Sequence, residues 1–290
     1  MRTFAKYLAA ITGSLLVFLA LSAGTAWLLV GNADNATSTA MSVLSEDLAG
    51  KAAGSVMIES LTTEADPEIK AILQTEGAPL SEAAAAGVRA SEAAISLAIH
   101  GIYSAVNAAS NVMVDLKPVF SQVVAKLHAV DSRIPADLSG VLGSAGGDSD
   151  LTIAVDGSKL GFVRMILSAI GAWWVLLALA LALLVLAGVC DRRAPIRRWR
   201  VSGISLAIPP ALLLLISTAA RLVAPSADAG DANTSALISA FVSVAQGTMV
   251  RLSGITLVVA LAIIVITIVV KPSRASGDHD GSLDAPISTT

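Results

Sequence analysis

The sequence predicts an all-α membrane protein: four transmembrane helices, with an extracytoplasmic helical domain (a hairpin or small bundle) between the first and second. The first observation is four uncharged runs of 19 or more residues, at 7–30, 165–190, 201–220 and 252–270. A helix rises about 1.5 Å per residue, so roughly 20 residues cross a hydrocarbon core about 30 Å thick. The second is a long acidic segment between the first two runs. The third is that basic residues cluster before the first run, between the second and third runs and after the fourth, which places them on one side of the membrane.

The composition excludes several classes of partner and site. Hydrophobic residues make up 55% of the chain and charged residues only 14%, whereas a soluble domain has about 25% charged residues. Residues 31–161 contain 16 Asp or Glu against 7 Lys or Arg, which argues against a nucleic-acid partner because phosphates would be repelled. The single cysteine, Cys190, excludes an internal disulfide and a cysteine-based zinc site.

Basic flanks predict the orientation, because Lys and Arg beside membrane helices are retained in the cytoplasm. Arg2 and Lys6 precede the first run, residues 191–200 contain five arginines, and Lys271 and Arg274 follow the fourth run. We therefore predict a multi-pass protein of the cell membrane with both termini cytoplasmic. The alanine-rich, cysteine-poor composition favours a bacterial plasma membrane. The predicted segments are a cytoplasmic N-terminus (1–6), spans at 7–30, 162–190, 201–224 and 250–270, an external domain (31–161), a basic loop (191–200), a short external segment (225–249) and a disordered cytoplasmic tail (271–290).

The first run has a second interpretation. Arg2 and Lys6 resemble the basic start of a signal peptide, and 24–26 (Gly-Thr-Ala) is a tolerable cleavage site. The apolar stretch of 24 residues is longer than the usual 7 to 15 or so. An uncleaved anchor is favoured.

Small residues at four-residue spacing predict close helix packing in lipid. Gly203, Ala207 and Ala211 form such a ladder on the third span, and the first span has two shorter ones. These are Ala9 with Gly13 and Ala20 with Gly24. Pro209 and Pro210 remove hydrogen bonds from the third span, so they are a candidate kink or hinge. A static bend is the simpler interpretation.

Aromatic and basic residues mark the predicted membrane boundaries. The four tryptophans, Trp27, Trp173, Trp174 and Trp199, are interpreted as interfacial anchors. Arg164, Arg221 and Arg251 each lie at the outer end of a different predicted span. Together they are a candidate site for an anionic ligand or a lipid headgroup. The simpler alternative is that each arginine snorkels separately to the headgroups.

Hydrophobic periodicity predicts four helices in the external domain. The first covers Thr37 to Leu61, with Asn35 or Thr37 as its cap. A short one begins at 66–68 (Asp-Pro-Glu) and ends near Gly77. A long helix begins near Ser81 and carries an apolar stripe from Val88 to Leu116. Pro118 then marks a boundary, and a last helix runs from Val119 to Val130. The stripe is expected to form domain core rather than a groove for a partner.

Two further patterns concern the end of the domain and the two halves of the chain. Residues 151–155 followed by Asp156 and Gly157 predict a small hairpin. Asp148, Asp150 and Asp156 lack the spacing of a calcium loop, so a solvated loop is favoured. The two halves share short matches after the first and third spans and before the return spans (161–164 with 247–251), which raises the hypothesis of a duplicated helical hairpin.

The sequence contains none of the common enzyme motifs, such as G-x-S-x-G, H-E-x-x-H or C-x-x-C, so no catalytic residue, metal ligand or cofactor is predicted. His100 and His128 lie on separate predicted helices and are expected to be ordinary histidines. Asn35 and Asn233 match the glycosylation pattern, which matters only in a eukaryotic secretory pathway.

Three functional hypotheses follow. The leading one is a non-enzymatic scaffold or accessory subunit that contacts membrane lipids and another membrane or envelope protein through the external domain. The second is a carrier or channel for a lipid or small anion that uses the three arginines. The third is an extracytoplasmic sensor, which would need a partner for output because no signalling module follows the second span. A proton-coupled transporter is disfavoured, since no span has an ionisable residue at its centre.

Overall fold

Four helical segments are long and apolar enough to cross a membrane. The structure is a computed structural model, and it describes residues 2–75, 77–142, 151–190, 199–223 and 231–269. Span 1 is α1 (Arg2–Val30). Spans 2 to 4 are formed by α9 (Gly161–Gly171) with α10 (Trp173–Val189), α11 (Arg200–Val223) and α12 (Ala232–Val269). The predicted set of four apolar helices is thus confirmed, and span 2 is interrupted at Ala172.

The described residues between 31 and 160 form a mainly helical unit between spans 1 and 2, here called the interspan domain. Its helices are α2 (Ala33–Ser45), α3 (Asp47–Glu64), α4 (Pro67–Thr75), α5 (Gly77–Ala90), α6 (Glu92–Ala108), α7 (Lys117–Val130) and α8 (Leu138–Leu142). The strands β1 (Asn111–Asp115) and β2 (Thr152–Asp156) pair with each other, and a 3₁₀ helix (Gly157–Leu160) leads into span 2. The predicted short helix at Pro67 and the last helix to Val130 are both present.

The first predicted helix of the domain is two helices. The chain breaks at Glu46, and the Arg89 side chain of α5 donates a hydrogen bond from Nε to the Leu44 carbonyl at 2.9 Å. This distant arginine satisfies a carbonyl at the end of α2, where helices leave acceptors without partners. The predicted N-cap, Asn35 or Thr37, is also wrong. The cap is Asn32, whose side chain accepts a hydrogen bond from the Asn35 backbone N–H.

The long helix predicted from Ser81 to Leu116 is wrong in extent. It is divided into α5 and α6 at Ser91, and it ends at Ala108 because Ala109 adopts a left-handed conformation with φ of 51°. The next residues form β1, in which Val112 and Val114 face α6 at Gly101. Periodicity alone missed the change because Ala109, Met113 and Leu116 continue the helical spacing of three or four residues, whereas the strand signal is only the two alternate valines, Val112 and Val114.

The predicted local hairpin at 151–157 is also wrong. β2 pairs antiparallel with β1, about 40 residues earlier, with Met113 opposite Ala154. Asp156 and Gly157 open the 3₁₀ helix instead of forming a turn. Gly157 is packed so closely on α6 that a Cβ there would lie 1.9 Å from the Ala105 carbonyl oxygen, so this position requires glycine. Asp148 and Asp150 lie outside the described residues.

The core of the interspan domain is built from large aliphatic side chains of α3, α4, α5 and α7. Its buried residues include Leu61, Leu73, Leu80, Phe120, Val123, Val124 and Leu127. Glycines let the helices approach closely. A Cβ on Gly54 would lie 2.4 Å from the Ser81 carbonyl oxygen, and one on Gly87 would lie 2.6 Å from the Val123 Cα. Burial of this apolar surface is the main stabilising term for the domain.

Spans 1 and 2 pack through the small residues of α1. A Cβ on Gly13 would lie 3.0 Å from the Leu184 side chain, and one on Gly24 would lie 3.3 Å from the Trp173 ring. Ala9 and Ala20 are also buried. The ladder predicted on the first span therefore forms an antiparallel contact with α10.

Spans 3 and 4 also pack closely, and the prolines lie inside a single helix. A Cβ on Gly203 would lie 2.9 Å from Ile264, whereas Ala211, at the far end of the predicted ladder, is exposed. Pro209 and Pro210 are fully buried within α11. Their missing N–H groups leave the Ser205 and Leu206 carbonyls without their usual helical donors.

Span 4 extends far beyond a bilayer. α12 has 38 residues, which is about 57 Å at 1.5 Å per residue, against about 30 Å of hydrocarbon. The described part of the predicted short external segment (225–249) is thus mostly the start of this helix. Its Leu237, Ala240 and Val244 pack against Val43 of α2 and Ala49 of α3.

The two halves of the chain differ in structure at their second sequence match, the one before the return spans. Residues 161–164 begin the helix α9, whereas 247–251 lie in the middle of α12. The matched return segments therefore occupy different structural positions, which gives no support to the duplication.

Candidate functional site

The interspan domain is joined to span 1 by side-chain hydrogen bonds at the end of α1. The Asn35 amide donates to the Trp27 carbonyl at 2.8 Å, the Thr39 hydroxyl donates to the Leu29 carbonyl at 2.8 Å, and the Tyr103 hydroxyl donates to the Val30 carbonyl at 2.5 Å. The last carbonyls of a helix have no intrahelical donor, so the bonds to Leu29 and Val30 satisfy the end of α1. The Trp27 carbonyl also accepts from the Gly31 N–H at 2.8 Å. Together the three side-chain bonds hold the domain against the end of α1.

Beside this junction lies a cavity of about 580 Å³ between the domain and the ends of spans 1 and 2 that are nearest to it. Its lining comes from the α1–α2 junction, α6 and α9: Trp27, Gly31, Asn32, Ala33, His100, Tyr103, Ser104, Asn107, Arg164, Leu167, Ser168 and Gly171. We call it the junction cavity. Its floor is apolar, with the Trp27 ring and Leu167, and its upper wall is polar.

The described lining of the junction cavity contains no Asp or Glu, although the domain around it is acidic. Arg164 is exposed, and no carboxylate among the described residues pairs with it. Ser104, Asn107 and Ser168 are exposed as well, and their side chains make no hydrogen bond to the described part of the chain. Each of these four side chains has donors available for a ligand.

His100 lies at the edge of the cavity and joins α6 to α2. Its Nδ1 is 2.8 Å from the Ser96 carbonyl oxygen, and its Nε2 is 3.2 Å from a carboxylate oxygen of Asp34. Both ring nitrogens therefore have protein partners. His128 contacts the Ile134 carbonyl at 2.6 Å through Nδ1, in a separate part of the domain. Among the described residues, no group of three or more His, Cys, Asp or Glu could hold a metal ion.

Tyr103 is half-buried between α6 and the end of α1. Burial raises the pKa of its hydroxyl above the ordinary value of 10.0, because the charged phenolate is poorly solvated there. Tyr103 thus stays a neutral hydrogen-bond donor to Val30.

Two of the three predicted arginines have described side chains, and these two are apart. Arg164 lines the junction cavity, whereas Arg251 is exposed near the middle of α12. Arg221 is near the end of α11, and its side chain lies outside the described residues. The candidate hinge is elsewhere: Pro209 lines an apolar cavity of about 370 Å³ between α1 and α11.

Three of the four predicted anchors pack against glycines of neighbouring helices or turns. Trp27 lies on Gly31 and Gly171, Trp173 on Gly24, and Trp199 on Gly188, whereas Trp174 is exposed. The Asn35 amide is engaged in the bond to Trp27, so this glycosylation match has a structural role.

Sequence reasoning missed most residues of the junction cavity. His100, Tyr103, Ser104 and Asn107 stand at i, i+3, i+4 and i+7, which places them on one face of α6. The sequence pattern was sufficient to identify this polar stripe beside the apolar one. It was not sufficient to predict that the stripe lies opposite α9, because that position depends on tertiary packing.

No protein-family model, curated protein sequence or solved structure matches this chain.

Proposed function

We propose that this protein is a non-enzymatic scaffold or accessory subunit, which holds its interspan domain at a fixed position over the membrane for another membrane or envelope protein. The observation that carries the proposal is the double attachment of the domain. It is joined to span 1 by the hydrogen bonds of Asn35, Thr39 and Tyr103. It also packs on the extension of span 4 through Ala240.

Two attachments restrict the orientation of the domain relative to the spans more than a single linker would. A flexible tether lets a domain sample many orientations, and ordering it on binding costs free energy. A platform that is fixed in advance avoids part of this cost. The domain also exposes large apolar side chains, including Leu48, Leu97 and Met113, and such residues are common in protein interfaces.

The proposal includes the orientation predicted from the basic flanks, with both termini in the cytoplasm. A labelling experiment tests it directly because Cys190 is the only cysteine. In the Cys190→Ser background, Leu97→Cys should react with a membrane-impermeant maleimide in intact cells. A cysteine at Ser273 should react only after lysis. The reverse pattern would contradict the orientation.

The partner is sought by co-purification of the full chain from native membranes in mild detergent. Ala240→Phe should reduce the recovered partner, because Ala240 is buried between α12 and the domain and a large ring would separate them. Phe241→Ala, at an exposed neighbouring position, is the matched control and should recover the partner as the wild type does. Recovery of the wild type as a lone species under several gentle conditions would overturn the proposal.

A further inference from the structure

We propose that the junction cavity binds the headgroup of an anionic phospholipid from the adjacent leaflet, with Arg164 as its main ligand. The inference does not depend on the scaffold proposal. It rests on three features of the structure: the charge of the cavity lining, the unused donors around Arg164, and the apolar surface of α9.

The charge of the lining favours an anion. Arg164 is the only fixed positive charge among the described residues that line the cavity, and no described lining residue is acidic. The Asp34 carboxylate contacts Nε2 of His100, a lining residue, at 3.2 Å but does not itself line the cavity. A guanidinium offers several N–H donors in a planar fork, which suits phosphate oxygens.

The donors around Arg164 are suited to the remaining oxygens of a headgroup. Ser168 lies one helical turn after Arg164 on α9, and Ser104 and Asn107 face it from α6. These hydroxyl and amide groups donate to phosphate, ester or glycerol oxygens. Tyr103 contributes shape rather than a donor, since its hydroxyl hydrogen is used on Val30.

The surface of α9 supports a ligand with acyl chains. This helix has no buried side chain in the structure. Met165 is exposed beside Arg164 around the helix, and Phe162 and Ile166 are exposed on the side away from the cavity. A headgroup in the cavity would leave its chains against the exposed apolar surface of this helix, beginning at Met165, at the level where spans 1 and 2 meet the domain. Free phosphate would use the polar wall but gain nothing from this surface.

The site is tested by native mass spectrometry of the full chain released from a neutral detergent. The probes are a phosphatidylglycerol and a phosphatidylcholine with the same acyl chains. The wild type should retain the anionic lipid about fivefold more than the zwitterionic one, as expected for one basic side chain near a headgroup. Arg164→Gln should abolish this preference. Arg251→Gln, which removes an exposed arginine outside the cavity, should keep it.

Two further measurements separate the alternatives. Asn107→Asp adds a carboxylate to the acid-free lining while keeping Arg164, and it should weaken retention of the anionic lipid. Glycerol phosphate is the soluble probe and should compete poorly. Equal retention of phosphatidylglycerol by the wild type and Arg164→Gln would overturn the site. Competition by glycerol phosphate at concentrations similar to the lipid would overturn the lipid assignment in favour of a soluble phosphate.

Discussion

The interspan domain and the span bundle differ in the residues that make their helix contacts. Large aliphatic side chains fill the core of the domain, with Leu80 and Leu127 almost fully buried. In the bundle, alanine, glycine and serine occupy many of the contacts beside a smaller set of buried large residues such as Leu184 and Leu213. Other large residues of the bundle, such as Ile11, Leu15 and Leu215, point outward. Water drives aliphatic side chains into the domain core. Lipid is as apolar as leucine, so helices in lipid associate by close contact between small residues.

Truncation of a core leucine of the domain should therefore cost far more stability than truncation of an outward-facing leucine of the bundle, and this is the largest expected effect. Leu127→Ala removes a side chain that is 1% exposed in the domain core, and it should destabilise the domain by about 2–5 kcal/mol. Leu15→Ala, at a 59% exposed position on α1, should change stability by less than about 0.5 kcal/mol. Hydrogen exchange of α7 and α1 amides in the full chain measures each region separately. Equal protection losses would contradict the comparison.

Enlarging a small contact residue should be the damaging change within the bundle. Gly13→Leu places a side chain where even a Cβ is 3.0 Å from Leu184, and overpacking of this kind costs about 1–3 kcal/mol. Gly254→Leu is the matched control, because a Cβ on Gly254 has no described atom within 4 Å outside its own turn of the helix. Spin-label distances between α1 and α10 should lengthen only in the first variant. A similar shift in both would mean that the contact is not specific.

Two buried serines of the span bundle differ in hydrogen bonding, and their alanine variants measure what a single hydrogen bond contributes to stability there. The Ser202 hydroxyl donates to the Leu184 carbonyl at 2.6 Å, joining α11 to α10. Ser253 is fully buried in α12, and its hydroxyl has no hydrogen-bond partner among the described residues. Ser202→Ala should lower stability by about 0.6 kcal/mol, and by no more than about 1.7.

Ser253→Ala removes an unsatisfied hydroxyl, so it should be neutral or stabilising. Thermal unfolding in one detergent, followed by tryptophan fluorescence, ranks the two serine variants against the wild type. A larger loss for Ser253→Ala than for Ser202→Ala would show that Ser253 has a partner in the membrane.

The smallest effect is expected at the boundary between the two regions, from pH. Because burial raises the pKa of Tyr103 above 10.0 in the folded protein, its contribution to stability is complete below pH 10 and is lost as the pH rises through the folded-state pKa. Unfolding midpoints measured from pH 8 to 11 should fall less steeply in Tyr103→Phe than in the wild type. Tyr7→Phe, at an exposed tyrosine, is the control and should retain the wild-type slope.

At low pH, Asp131 should make stability depend on pH in the opposite direction, with stability lost as the pH falls. Hydrogen bonds from Arg133 lower the pKa of the Asp131 carboxyl below 3.8. Its stabilising contribution is therefore present above that value and is lost as the pH falls through the folded-state pKa. Asp131→Asn should remove this small acid dependence without changing the alkaline limb. An unchanged acid limb would show that the Asp131–Arg133 pair makes no contribution.

The sequence alone determined the four apolar helices, the small-residue face of span 1 and several helices of the domain. These are consequences of local composition, since about 20 apolar residues in a helix cross a bilayer and glycine or alanine at four-residue spacing forms one face. Pro67 and Pro118 also marked helix starts correctly, because proline is tolerated in a first turn.

Only the tertiary structure decided where contacts distant in sequence interrupt or extend that local pattern. Arg89 supplies the donor that allows α2 to end at Ser45, β2 finds its partner about 40 residues earlier, and α12 continues as a helix because α2 and α3 cover it. The junction cavity has the same origin. Its donors come from α6 and α9, separated by more than 50 residues, and their meeting depends on packing that no local periodicity encodes.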